Sequence, residues 1–412
     1  AYQVLKGALT FALVVGSIAA LVVYFGAEFF TATLLKTPYS VFALKILGPA
    51  LVVVAVLGVL RGFFQGLGTM MPSAISQIIE QIINAIISIW AAYVLTGYGK
   101  RIGAVLGDPE HYGAAYGAAG GTLGTNLGAV AGLLFVLFVF FAYMRVFKRR
   151  MRRERNVQVD SFSYTMKILI VTIIPVLLST TVYNISGIID QGIFKNVALL
   201  QGYSDVQIDT WWGVFSGKYK LLINVPISIA SAMAASSVPT LTASFAENDM
   251  ESVRSQINAA TRFVMVIAFP CTIGLAVLGE PIFRLLFPGT AQTAPMAAMM
   301  MYVGAFAVVF YAMSTLSNGL LQGINRMKIP VTNAAISLVA HMILLVILML
   351  FFHLQIYAVV IANMFFALMM CVMNSMAIRK YSGYKQEVIK TFAIPALASA
   401  IMGIVTWLFY HG

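Results

Sequence analysis

Charge is what this chain has least of. Only 10% of its 412 residues are Asp, Glu, Lys or Arg, where soluble domains carry roughly 25%. That deficit excludes a soluble globular fold. Acids are the rarer sign, 14 against 26 bases. Cysteine is nearly absent as well. Cys271 and Cys371 both fall inside apolar runs, so neither a disulfide framework nor a metal-ligand spacing exists. The four histidines are scattered and make no ligand cluster. Strand-like alternation of polar and apolar residues is missing, which argues against a transmembrane barrel. No resident cofactor is expected.

What is present is apolar length. Hydrophobic residues make up 60% of the chain. They gather into segments at about 5–32, 40–66, 71–97, 114–145, 163–192, 212–243, 255–279, 294–323, 330–353, 356–379 and 388–410. Each is long enough for a helix crossing a hydrocarbon core of ~30 Å. The expected fold is therefore all-α and polytopic, with about 11 transmembrane helices. The net charge of +12 does not point to nucleic acid. Seven of the 26 bases crowd into RVFKRRMRRER, from Arg145 to Arg155. By the positive-inside rule this makes loop 145–160 cytoplasmic, and such a cluster also attracts anionic lipid headgroups. With loops alternating from there, Arg326, Lys328, Arg379, Lys380 and Lys385 also fall inside. Lys36, Lys100, Arg101, Lys195 and Arg284 fall outside. The chain is therefore read as a multi-pass protein of a cytoplasmic (plasma) membrane.

One phrase occurs twice. RGFFQGLGTMMP begins at Arg61, and NGLLQGINRMKIP begins at Asn318. Gly62, Gln65, Gly66 and Met70 recur as Gly319, Gln322, Gly323 and Met327, and Pro72 recurs one position late as Pro330. Each copy ends one apolar run and precedes the next. A repeat of this size in a membrane chain implies two homologous lobes, a frequent transporter design. The boundaries are 1–150 for an N-terminal lobe of four helices, 151–385 for a C-terminal lobe of six, and 386–412 for an extra helix. The second copy follows four segments of its lobe and the first follows only two. Two further helices are thus expected ahead of residue 1.

Charges inside spans are costly and usually functional. Lys45, Arg61, Lys218, Lys220 and Arg262 lie within apolar runs, and an inward-facing set would make a cationic cavity suited to a diphosphate. The competing reading for each is snorkelling of the charged tip to the interface. Segment 71–97 carries a polar stripe at helical spacing: Ser73, Gln77, Glu80, Asn84 and Ser88. Glu80 could pair with a neighbouring cation such as Arg61, or take part in ion coupling. Its mate in the repeat is Leu338. Asn184, Ser186 and Asp190 sit toward the outer end of segment 163–192, where Asp190 could face the lysines of the following helix. Gly120, Gly124, Gly128 and Gly132 recur every fourth residue, a spacing that lets two helices approach closely.

RGFFQGLGTMMPSAISQIIEQ, starting at Arg61, resembles the fourth and fifth helices of bacterial polysaccharide exporters related to stage V sporulation protein B. GVFSGKYKLLINVPISIASAMAASSVPTLT, starting at Gly213, resembles the eighth helix of the same group, and Lys218 matches its lysine. The group belongs to the multidrug/oligosaccharidyl-lipid/polysaccharide (MOP) superfamily. The resemblance covers nearly the whole chain, from the family's third helix to its thirteenth. It implies two helical lobes in a V around a central cavity. It also implies flipping of an undecaprenyl-diphosphate-linked sugar, with lipid II the leading candidate. The run SGKYKLLIN departs from the Ala-Asp-Arg-Leu pattern of the Gram-negative lipid II flippases.

Three functions are open at this stage. A flippase would act by alternating access as a monomer, driven by membrane potential or by coupling to H+ or Na+. Its partners would be the lipid-linked sugar diphosphate and the bilayer. A drug/cation antiporter of the same superfamily needs a carboxylate-centred site, for which only Glu80 and Asp190 are candidates. A membrane polymerase or ligase needs acid/base groups on a sizeable outer domain. The longest outer loop, about 191–211, holds Asp205 and Asp209 but no His or Arg. The expectation is a transporter, not an enzyme.

Overall fold

The computed structural model describes residues 2–153, 161–288 and 292–411. Residues 154–160 of the expected cytoplasmic loop lie outside this set. Among the described residues every regular element is a helix. Inside a bilayer only helices and closed barrels satisfy the backbone internally, and the apolar runs here are long enough for helices.

The chain divides into two compact units, residues 1–173 and 174–412. The first holds α1 (Tyr2–Glu28), α2 (Val41–Gly66), α3 (Met71–Leu106) and α4 (Pro109–Arg153), with the start of α5 (Phe162–Leu200). The early turns of α5 dock on α1: the Lys6 ammonium lies 5.7 Å from the Phe162 ring centroid. The second unit holds the rest of α5, then α6 (Asp205–Val214), a π turn (Phe215–Tyr219), α7 (Lys220–Ala246), α8 (Met250–Val277) and α9 (Gly279–Leu286). It continues through α10 (Ala294–Gly304), α11 (Ala307–Gly323), α12 (Lys328–Leu350), α13 (Ile356–Ser382), a second π turn (Ile389–Ala393) and α14 (Ile394–His411).

Nine helical stretches among the described residues are long and apolar enough to cross a membrane. A tenth is α10 with α11, bent by 54° at their junction, and α5 adds a shorter apolar stretch, Phe162–Leu178. These stretches coincide with the eleven apolar segments. Large apolar side chains face outward, such as Phe25 at 78% exposure, Phe138 at 73% and Phe409 at 87%. A soluble protein would bury them; here they form the surface a bilayer solvates.

In the first unit α4 packs on α3 through its glycines. A Cβ at Gly120 would strike the Ala91 backbone, one at Gly124 the Ser88 backbone, and one at Gly128 would sit 2.7 Å from the Glu80 carbonyl. The glycine face of α4 therefore lies against the polar stripe of α3. Small-residue faces of this kind replace hydrophobic driving force with close contact. The core of the second unit is built from α7, α8, α11 and α13, with Leu241, Met265, Leu316 and Ala362 fully buried.

Candidate functional site: a polar cleft in the second unit

A cavity of about 600 Å³ opens in the second unit between α5, α7, α11 and α13. It runs along α7 from Lys220 to Val238, roughly 27 Å at 1.5 Å per residue. Lys220 marks one end. At the other, Gly319 packs on Ala234 and Gly323 on Leu241, which sets Asn318 and Gln322 opposite the later turns of α7. The lining is polar for a stretch of spanning helices, with Asn184, Asn224, Ser231, Thr315, Asn318 and Gln322 prominent.

The second copy of the repeated phrase thus forms one wall of the cavity. Asn318 is held from behind: Asn374 donates to its Oδ1 at 2.7 Å, and Asn333 donates to Asn374 at 2.8 Å. The first copy behaves differently. Arg61 donates to Glu80 at 2.7 Å and to the Ser76 hydroxyl at 2.8 Å, mostly enclosed between α2, α3 and α4. Where the second unit offers a neutral amide, the first holds a neutralised ion pair.

Beneath the Lys220 end lies a closed polar cluster. Asp190 is 0% exposed and His341 1%. One Asp190 oxygen meets His341 Nε2 at 2.5 Å, and the other accepts from Asn363 at 2.8 Å. His341 Nδ1 lies 2.8 Å from the Ala362 carbonyl. A carbonyl can only accept, so Nδ1 carries a proton, and a second proton lies between Nε2 and the carboxylate. The pair is neutral overall in either arrangement. Tyr311 donates to Asn363 at 3.1 Å and also lines the cavity. Lys220 lies within electrostatic reach of Asp190, and its ammonium sits 4.8 Å from the Phe215 ring centroid.

The neighbours of Lys220 on the π turn point elsewhere. Lys218 donates to Thr293 at 2.9 Å, just ahead of α10. Tyr219, 1% exposed, donates to the Gly304 carbonyl at 2.9 Å, at the end of α10. The bend makes that bond necessary: Val308 N–H turns back to Ala305 instead of Gly304. A carbonyl freed inside a bilayer needs a substitute partner, and the Tyr219 hydroxyl supplies it. The π turn therefore grips α10 at both ends while presenting Lys220 to the cavity.

Of the residues singled out from sequence, Lys220 and Asn184 line this cavity and Asp190 lies under it. Lys45 pairs with Glu28 at 2.7 Å and Arg262 with Glu387 at 2.6 Å. Asn84 accepts from Ser88 at 2.7 Å, and Gln77 is exposed on α3. His341 was missed, because its partner Asp190 is 151 positions away. In the sequence Asn318 and Gln322 stand out as markers of the repeat, and the structure places them in the cavity lining. The available signal is the helical spacing of Thr315, Asn318 and Gln322 along one face of α11.

This helical architecture is that of the MOP-superfamily transporters. A solved inward-facing multidrug resistance MATE family transporter of that superfamily superposes with a TM-score of 0.65 at 15% identity, covering 92% of the chain and 81% of that structure. The chain matches the family described as "Lipid II flippase MurJ" over residues 2–411, and it belongs to that family. Among its relatives, the lipid II flippase MurJ of Bacillus subtilis (strain 168) is 23% identical over 98% of the chain and 73% of the relative. Stage V sporulation protein B of the same organism is 21% identical over 76% of the chain and 56% of the relative. The chain is a multi-pass bacterial membrane transporter and not an enzyme.

Proposed function

We propose that this protein carries an undecaprenyl-diphosphate-linked sugar, with lipid II the leading candidate, across the cytoplasmic membrane by alternating access. The observation that supports this reading is the polar cleft of the second unit, which lies among helices whose outer faces are apolar. A lipid-linked precursor is amphipathic in the same sense. Its tail belongs in the bilayer and its headgroup needs hydrogen-bonding partners that hydrocarbon does not offer. Lys220 is the one cation in the lining among the described residues, and it engages the diphosphate by charge-assisted hydrogen bonds. The cycle draws on the membrane potential, worth ~2.3 kcal/mol per charge per 100 mV, or on a coupled H+ or Na+.

The test is headgroup-resolved transport by the full-length protein in liposomes. Lys220→Gln keeps a hydrogen-bonding tip and removes the charge. Transport by that variant is expected to fall about tenfold or more, the loss of one charge-assisted bond. Transport at the wild-type rate would reject Lys220 as a substrate ligand.

A further inference from the structure

We propose that the end of the cleft formed by Ser231, Thr315, Asn318 and Gln322 is a glycan subsite, distinct from the Lys220 end. The inference rests on the proposed transport of a lipid-linked sugar and names which part of the cleft reads which part of the headgroup.

Geometry supplies the first argument. Gly319 packs against Ala234, which lies 14 residues along α7 from Lys220, or roughly 21 Å. A diphosphate held at Lys220 is far too short to reach that end. Whatever fills it belongs to the headgroup beyond the phosphates.

The second argument is chemical. Among the described residues the far end carries no charged side chain, and its polar groups are amides and hydroxyls set beside small apolar residues. Among the described residues, the side chains of Ser231, Thr315 and Gln322 have no hydrogen-bond partner in the protein, although all three lie in helices of the apolar spans. A side-chain amide offers two donors and an acceptor, and a hydroxyl one donor and two lone pairs. That inventory matches the vicinal hydroxyls and acetamido groups of a sugar. It does not match a diphosphate, which calls for cations, nor a lipid tail, which calls for none of these groups. Asn318 adds pre-organisation. Asn374 donates to its Oδ1, so its amide N–H groups are the part left to the cleft. Asn374 is itself fixed by Asn333 and by the Ser317 hydroxyl at 3.1 Å. Such backing is what a site needs to hold a polar group in one orientation.

The third argument comes from the repeat. In the first unit the position of Asn318 is Arg61, bonded to Glu80 and Ser76. In the second unit the position of Glu80 is Leu338, buried against Phe366 and Met370. The frame is shared, and the second unit has neither the cation nor the carboxylate. Its amide is neutral, and it faces the cavity.

The experiment compares two ligands on the full-length protein in nanodiscs: undecaprenyl diphosphate, and the same lipid bearing an N-acetylated disaccharide. Gln322→Met and Thr315→Val keep side-chain volume and remove the polar groups. Each is expected to weaken binding of the glycosylated lipid about tenfold, the scale of one hydrogen bond in a desolvated site, and to leave the bare diphosphate lipid within twofold. Retained binding of the bare lipid also shows that the variants are folded. Lys220→Gln is expected to weaken both lipids alike. Equal loss of both lipids in Gln322→Met and Thr315→Val would overturn the subsite and leave the transport reading standing. So would no loss of either. If the wild-type protein binds neither lipid, the transport reading falls and the subsite falls with it.

Discussion

Arg262 reaches Glu387 across 125 positions, and the guanidinium donates to the carboxylate at 2.6 Å. Glu387 lies in the short connection before α14, outside the spans. The hydrogen bond from Arg262 holds its carboxyl below the ordinary value of 4.5. A carboxyl depressed in the folded state contributes stability above its unfolded pKa, and the contribution is lost as pH falls through the folded value. Melting of the purified protein should therefore drop as pH passes from above 4.5 to below it. Arg262→Gln should melt slightly lower at neutral pH and show a shallower fall in acid. Parallel pH profiles for the two proteins would reject the pairing. Both partners are half-exposed, so the effect is small. At this scale the sequence shows which residues are expensive, because an ionised group in an apolar run stands out. It shows a partner only where both groups stand out close together in the chain. Arg61 and Glu80 were both conspicuous and lie 19 positions apart. Glu387 and His341 were not conspicuous, because each is explained only by a helix that returns much later in the chain.

Among helices, the packing of α4 on α3 was readable and the bend between α10 and α11 was not. Glycines every fourth residue define a face whatever lies opposite. The bend sits in one apolar run with no proline near it, and it persists because Tyr219 comes from another element to bond Gly304. No local signal encodes a bond of that kind. The glycine face makes a prediction with opposite signs. A methyl at Gly124 would collide with the Ser88 backbone, while one at Gly121 would meet nothing within 4 Å. Gly124→Ala should destabilise by about 1–3 kcal/mol, the cost of overpacking. Gly121→Ala, in the same helix, should stabilise by up to about 1 kcal/mol through helix propensity. Thermal melting of the two variants in detergent measures both. Equal shifts would mean that α4 does not rest on α3 through this face.

Over the whole molecule, the repeat was legible as two copies, and the charge asymmetry of the loops predicts an orientation. The cavity was legible only in part. One of its walls includes a copy of the repeat, yet the lining arises from α7 lying across it, and no single segment carries that relation. Orientation has a direct test within the second unit. α7 and α13 each cross once, so the connection before α6 and the connection after α13 take opposite sides if α8, α10 with α11, and α12 each cross once between them. Val206 at the first is 67% exposed, and Lys385 at the second is exposed beside Arg379 and Lys380. Positive charge flanking spans is retained on the cytoplasmic side. With Cys271 and Cys371 first replaced by serine or alanine, Val206→Cys should react with a membrane-impermeant maleimide on intact cells. Lys385→Cys should react only after the cells are permeabilised. Labelling of both in intact cells would contradict the crossing count, and the reverse pattern would invert the orientation. The reversed pattern would also move the Lys220 end of the cleft away from the outer face, where this topology puts it.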